Sequence, residues 1–456
     1  MFNKKPSLKR AFLFFIMLNL QQNFSFKKMP TMDINFIYDI FAKCSCVTTD
    51  SRNCPEGSLF IALKGASFNG NRFASEALSK GCKFALVDEA EFADGKNIFL
   101  VDDSLKALQA LAREHRKRIG TKIIGITGTN GKTTTKELIA AVLSHKYNVL
   151  FTQGNLNNHI GVPVTLLGLK KEHDIAVVEM GANHPGEIET LVNIALPDFG
   201  IITNIGKAHL EGFGSFEGVI KTKGELYDFL RCNNRVAFIN SDNEILTSIA
   251  NGIEQIKYGK EEFGNFASAE VKDASPFLSI KYNNCTIRTN LIGSYNFENV
   301  LAAITIGKYF DVPDSEIASA LENYVPTNNR SQLKKTEKNS LIIDAYNANP
   351  TSMRASLMNF INISAENKCV ILGDMRELGN DSQNEHEAIV ELLCSYNFKE
   401  IHLVGSEFKK VAASGMKTYE NVAELTDFIK ENPIAGSTIL IKGSNSMQLI
   451  KTVDFL

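Results

Sequence analysis

The run Gly125-Ile-Thr-Gly-Thr-Asn-Gly-Lys-Thr-Thr-Thr135 constrains this chain more than any other stretch. It continues a short apolar run, Lys122-Ile-Ile-Gly-Ile126, that suits a buried strand, and it leads into a helical pattern starting near Lys136. Strand, glycine-rich loop and helix in that order turn successive backbone N–H groups toward one point. The helix dipole adds positive potential there, so the point favours a phosphate. Glycine allows the close approach because it carries no Cβ. In this setting Lys132 reaches the β- and γ-phosphates and Thr133 offers its hydroxyl to Mg²⁺, while Gly128, Thr129, Asn130, Gly131 and Thr134 complete the cradle. Ile126 stands where the general spacing of such loops has glycine.

The flanking chain alternates strand-like and helix-like stretches, which predicts α/β domains with mainly parallel sheets. Before the loop, strands are expected at 58–63 and 84–87 and helices at 74–80 and 104–119. The second helix ends in a basic cluster read as a solvated connector that Gly120 stops. After it, strands are expected at 149–152, 175–179, 200–203 and 236–239, then a small β-rich insertion over about 257–288 and a helix at 299–310. Pro326-Thr-Asn-Asn-Arg330 breaks the pattern, and strands resume at 341–344, 369–372, 401–404 and 439–441. A chain of 456 residues is too long for one core and divides into about three domains. The expected boundaries are 1–32 for a leading extension, then 33–112, 113–326 and 327–456.

Composition narrows the function by exclusion. Hydrophobic residues make up 44% and charged residues 22%, as in ordinary globular proteins, and the formal net charge of -2 supplies no global field for nucleic acid or an anionic membrane. The eight cysteines form no C-x-x-C pair, so neither a zinc site nor a dithiol redox motif is indicated, and Cys44 and Cys46 read as packing residues. Lys4, Lys5, Lys9 and Arg10 precede the apolar run Ala11–Leu18, the layout of a secretory signal. The run is well short of the ~20 residues a membrane span needs and no small-x-small cleavage site follows. The opening residues therefore read as an over-called translation start ahead of Met29 or Met32, without stable membrane insertion.

Two further groups narrow the chemistry. Glu179 ends the apolar strand Ala176-Val-Val and is followed by Met-Gly-Ala-Asn-His-Pro-Gly186; a carboxylate at a strand's C-terminal end beside a phosphate loop is placed to ligate Mg²⁺. Thr203-Asn-Ile-Gly-Lys-Ala-His209-Leu-Glu211 sets a histidine just after another strand. No Ser/His or Cys/His constellation suggests a covalent nucleophile.

Taken together, the glycine loop, Glu179-Met-Gly-Ala, Asn204-Ile-Gly-Lys-Ala-His209, Lys223-Gly-Glu, Gly293-Ser-Tyr-Asn296-Phe-Glu-Asn299, Asn329-Arg330 and Asp344-Ala-Tyr-Asn-Ala-Asn-Pro350 resemble the Mur ligases. The resemblance covers essentially everything after Met32. It implies a uridine-nucleotide-binding N-terminal α/β domain, a central P-loop ATPase domain and a C-terminal Rossmann-like domain. It also implies ATP and Mg²⁺ as cofactors, acyl-phosphate chemistry, and a cytoplasmic enzyme expected to be a monomer. Within the family, Gly154-Asn-Leu-Asn-Asn-His-Ile-Gly-Val-Pro163, Asp344-Ala-Tyr-Asn-Ala-Asn-Pro350 and Gly373-Asp-Met-Arg-Glu-Leu-Gly379 resemble the branch that joins D-alanyl-D-alanine to UDP-N-acetylmuramoyl-tripeptide.

The resemblance also assigns roles. Lys132 and Thr133 hold the ATP phosphates and the first Mg²⁺ with Glu179, while His209 helps bind a second. Lys223 matches a position that several relatives carbamylate into an anionic metal ligand. Asn296 and Asn299 match an adenine-reading pair, and Arg330 and Asp344 match contacts to phosphate and ribose. Ser51 and Arg52 fall in the run resembling the uridine-nucleotide domain. Asn158, His159, Tyr346, Asn347 and Asn349 are substrate candidates, the last three for the incoming dipeptide. Tyr295 in place of a common histidine, Asn445 in place of arginine, and Arg376 in an often apolar place depart from the pattern. A ligase adding the third amino acid, a folylpolyglutamate synthase and a non-catalytic nucleotide-binding regulator remain alternatives.

Overall fold

The computed structural model describes residues 33–327 and 330–456. The signal-like run, Met29, Met32 and Asn329 lie outside the described residues. The chain divides between Leu111 and Ala112 into two compact units.

The first unit opens with helix Ile34–Phe41, started by Asp33, whose carboxylate accepts the N–H of Asn35. Four parallel strands follow in the order Val47–Thr48, Leu59–Ile61, Phe84–Val87 and Ile98–Leu100. Phe60, Ala85, Val87 and Ile98 pack on Ala74 and Ala77 of helix Ala74–Ser79. Gly70 lets the chain pass close to the end of the second strand: a Cβ there would lie 2.5 Å from the Leu63 carbonyl oxygen.

Two sheets organise the second unit. The first has seven parallel strands in the order Ala267–Ser268, Glu254–Gly259, Val236–Asn240, Phe199–Ile202, Lys122–Thr127, Ile175–Glu179 and Val149–Phe151. The phosphate-loop strand lies inside the sheet, between Phe199–Ile202 and Ile175–Glu179, and Ile123, Ile124 and Ile126 are fully buried because helices cover both faces. Ile126 pairs with Glu179 in the neighbouring strand, which brings that carboxylate level with the start of the loop. Leu138, Ile139 and Val142 of helix Lys132–Leu143 share one core with Val300, Leu301 and Ile304 of helix Phe297–Tyr309. The β-rich insertion is the antiparallel sheet Glu270–Asp273, Phe277–Tyr282 and Cys285–Ile292. It begins later than expected, because Lys257 belongs to a strand of the parallel sheet.

The second sheet runs Gln332–Lys335, Ser340–Asp344, Thr438–Lys442, Lys368–Gly373, Glu400–Val404 and Lys417–Tyr419, parallel except for the first strand. Met353, Leu357 and Phe360 pack one face and Leu425 and Ile429 the other, a Rossmann-like layering.

The basic end of helix Ser104–Ile119 is not a solvated connector. Arg116 is buried and donates to the carbonyls of Ala195 and Leu196 and, at 2.7 Å, to Asp198. Asp198 also accepts the Ile123 N–H and pairs with Arg235. A run of like charges hid this because only one of its members turns inward. Gly120, at φ 77°, ends the helix as expected. Among the described residues, no helix is long and apolar enough to cross a membrane.

Candidate active site

The phosphate-loop helix starts at Lys132, not near Lys136, because the Thr135 N–H already bonds the Gly131 carbonyl at 2.8 Å. Lys132, Thr133 and Thr134 are therefore its first turn, and no side chain caps its leading N–H groups. Two glycines are required. Gly128, at φ 141°, would put a Cβ 2.0 Å from Thr203 Oγ1; Gly131, at φ 77°, would put one 2.4 Å from Asn299 Oδ1. The loop is braced from the segment after strand Phe199–Ile202. Asn204 accepts the Thr129 N–H on its carbonyl and the Asn130 N–H on its side chain, and Thr203 Oγ1 donates to the Asn130 carbonyl at 2.6 Å.

Lys132 Nζ folds onto the carbonyls of Gly128 and Thr129 at 2.8 and 3.1 Å, and burial lowers its pKa. Glu179 is 1% exposed and both its oxygens are held: Thr133 Oγ1 donates to one at 2.9 Å and Asn157 Nδ2 to the other at 2.8 Å. Lys136 is completely buried, with Nζ 3.6 Å from Glu137 and 3.9 Å from Glu179, and burial lowers its pKa too. A hydroxyl bonded to a buried carboxylate at the mouth of a phosphate loop is a donor set that fits Mg²⁺. That ion takes one or two carboxylates and completes its octahedron with phosphate oxygens and water. Among the described residues no three His, Cys, Asp or Glu side chains form a ready-made metal cluster.

Lys223, on helix Phe216–Cys232, is buried with Nζ 3.2 Å from the Ala182 carbonyl, three residues past Glu179. Burial, reinforced by Lys132, pushes its pKa down to about 7. It and His209 both neighbour the Phe213 ring: the Lys223 ammonium sits 5.1 Å from its centre and the centre of the His209 imidazole 6.1 Å from it. His209 Nδ1 is hydrogen-bonded to Glu377 Oε2.

Asn296 and Asn299 are buried beside the loop. Asn296 Nδ2 donates to the Ile292 carbonyl, Asn299 Nδ2 donates to Asn296 Oδ1, and Asn299 Oδ1 accepts from Thr135. Arg330 stacks on Tyr346 with its guanidinium carbon 3.8 Å from the ring centre, while Asp344 pairs with Lys442 at 2.6 Å. Tyr295 hydroxyl bonds Ser331 at 2.8 Å. Asn349, a candidate for the incoming dipeptide, also has contacts within the fold. It caps helix Pro350–Asn362, its Oδ1 accepting the Ser352 N–H at 2.9 Å, and its Nδ2 donates to Asn130 at 2.8 Å. Both ends of its amide thus hold the fold. Asn347 Oδ1 accepts the Ala348 N–H, and Asn158 Oδ1 accepts the N–H groups of Ile160 and Gly161 at the head of helix Gly161–Leu167. His159 is exposed.

In the first unit Ser51 is buried, and Arg52 is exposed and held in a fork on Asp50, 2.8 Å at each arm. That fork lowers the Asp50 pKa to about 2. Burial raises the Cys44 thiol to about 11, so it is a poor nucleophile, consistent with a packing role.

Three family models match in register with these elements: a Mur ligase family catalytic domain over residues 43–116, a Mur ligase middle domain over 126–307, and a Mur ligase glutamate ligase domain over 329–445. The UDP-N-acetylmuramoyl-tripeptide–D-alanyl-D-alanine ligase of Bacillus subtilis (strain 168) is 35% identical over 424 residues, 90% of this chain and 92% of that one. The chain belongs to the Mur ligase family. Among solved Mur ligases, MurF from Acinetobacter baumannii superposes with a TM-score of 0.81 at 29% identity, covering 92% of this chain and 97% of that one. MurF ligase from Thermotoga maritima in complex with ADP gives 0.79 at 25% identity, with 90% and 96% coverage.

Sequence reasoning about this Mur ligase missed Lys136, Asn157 and Glu377 as partners of the site residues. Lys136 is the most readable of them, because it lies one helical turn after Lys132 on the same helix.

Proposed function

We propose that this Mur ligase adds D-alanyl-D-alanine to UDP-N-acetylmuramoyl-tripeptide at the expense of ATP, releasing ADP and phosphate. A carboxylate is a poor electrophile, so the tripeptide carboxylate first attacks the γ-phosphorus, displacing ADP and forming an acyl phosphate. The dipeptide amine then attacks the acyl carbon and phosphate leaves. The uncapped first turn of the Lys132–Leu143 helix, beside the Thr133–Glu179 pair, is the observation that carries this reading. Like-charged reactants meet there, and fixed donors in a partly dry site offset their repulsion without reorganising.

Gly128, Thr129, Asn130, Gly131 and Thr134 are assigned to the phosphates through backbone and hydroxyl groups, with Lys132 swinging from its loop carbonyls to the γ-phosphate. Thr133 and Glu179 are assigned to the first Mg²⁺, and His209, with Lys223 if carbamylated, to a second. When bound, the metal neutralises phosphate charge. Asn296 and Asn299 are assigned to the adenine side and Arg330 and Asp344 to phosphate and ribose. Ser51, Arg52, Asn158, His159, Tyr346, Asn347 and Asn349 are assigned to the peptide substrates. The division at residues 33–112, 113–326 and 327–456 goes with this scheme, as does a monomer working in the cytoplasm, where ATP is supplied.

The test is phosphate release from Mg-ATP with UDP-N-acetylmuramoyl-tripeptide and either D-alanyl-D-alanine or single amino acids. Release that requires the dipeptide is expected. Release driven by a single amino acid, or with no acceptor peptide, overturns the substrate assignment.

A further inference from the structure

His209 occupies a left-handed backbone position, φ 51°, at the head of helix Leu210–Phe213. Glu377, which faces it, is also left-handed at φ 64°. Such a backbone conformation is strained for a non-glycine residue and persists where surrounding structure enforces it. Their side chains meet, Glu377 Oε2 on His209 Nδ1. The contact is reinforced by the Glu211 N–H donating to the Glu377 carbonyl at 3.3 Å, and by Lys207 pairing with Glu385 at 2.7 Å.

Glu377 is rigidly built into the C-terminal sheet. Its loop follows strand Lys368–Gly373, where buried Asp374 accepts the N–H groups of Glu407 and Phe408. The Met375 N–H bonds His386 Nε2 at 3.0 Å, and the Arg376 N–H bonds Ser444 Oγ at 3.2 Å. Glu377 therefore moves with the C-terminal sheet, while His209 belongs to the sheet that carries the phosphate loop.

We propose that Glu377 is a positioning residue for His209: it accepts the hydrogen bond from Nδ1–H, fixes that neutral tautomer, and leaves the Nε2 lone pair free for a metal ion. This rests on the reading of His209 as a ligand of the second metal. A carboxylate behind a metal-binding imidazole fixes ring orientation and raises ligand basicity. Here that carboxylate is delivered by the other sheet, so the second metal position is complete only while the C-terminal sheet is docked. Nε2 makes no hydrogen bond among the described residues that would compete for that lone pair.

The experiment is a Mn²⁺ titration of the ADP-loaded full chain, followed by electron paramagnetic resonance, with ¹⁵N spectra of the His209 imidazole. Wild type, Glu377→Ala, Glu377→Gln and His209→Ala are compared. Glu377 is exposed, so its variants are expected to melt near wild type. Glu377→Ala is expected to weaken one of two Mn²⁺ positions by roughly 10–100-fold. It also loses the Nδ1-protonated tautomer, and Glu377→Gln, a weaker acceptor, falls between. If His209→Ala loses a position that Glu377→Ala retains, the positioning role is overturned while the ligand reading stands. Weakened binding with an unchanged tautomer likewise overturns it. If His209→Ala itself retains both positions, the ligand reading fails and the proposal with it.

Discussion

Lys223 offers the sharpest quantitative test. Its pKa of about 7 means that about half of its side chains are neutral amine at pH 7, against about 0.04% for a lysine at its ordinary value near 10.4. Only the neutral amine attacks CO₂, forming a C–N bond and releasing a proton, so burial raises the reactive fraction more than a thousandfold at neutral pH. The protein incubated with ¹³C-bicarbonate at pH 8 is therefore expected to show a carbamate resonance that Lys223→Arg abolishes. The linkage has a definite sign. The folded pKa lies below the unfolded one, so the unfolded chain binds more protons between about pH 7 and about 10.4, and stability rises with pH across that window. Below about 7 both states are protonated and the penalty of a buried charge is full. Lys223→Met is expected to flatten this slope in urea melts. Titration of ¹³C-labelled Lys223 with a midpoint above about 9 would refute the reasoning, because it would mean that water reaches the amine.

Arg116→Met breaks a buried pair but leaves Asp198 with the Ile123 N–H and Arg235, so a loss of about 3 kcal/mol is expected, near the lower end for buried pairs. Arg118→Ala, which removes an exposed pair with Glu114, is expected to cost about 0.5 kcal/mol or less; equal losses in denaturant melts would restore the solvated reading. Lys132→Ala is expected to abolish ligation with an unchanged melting curve, and near-normal turnover would remove the phosphate-loop assignment. Gly131→Ala forces a Cβ into Asn299 at φ 77°, so it is expected to cost about 1–2 kcal/mol and to weaken ADP binding in calorimetry.

The alternating sheets and the phosphate loop were legible because their signals are local. Ile123, Ile124 and Ile126 read as a strand buried on both faces, and Gly128 and Gly131 sit where the backbone must turn left-handed. Glu179 was legible as a strand end. Its setting was not, because Asn157 is brought to it by a separate loop and Lys136 by burial that a helical pattern does not specify. Arg116 was misread for a related reason: Arg113, Arg116, Lys117 and Arg118 look alike in sequence, and only the helix phase turns Arg116 onto Asp198. Asn349 stands in a run of polar residues where cap and ligand contact look the same until the helix after it is placed.

The two sheets of the second unit are joined by links of different electrical character. Asn130 and Asn349 are neutral amides, bonded at 2.8 Å, whereas Lys207 and Glu385 form a partly exposed ion pair. Dissolved salt screens the second and leaves the first almost untouched. Raising ionic strength should therefore loosen the rim at Lys207 while the phosphate loop keeps its grip on the neighbouring helix. The neutral bond from the Glu211 N–H to the Glu377 carbonyl persists beside His209.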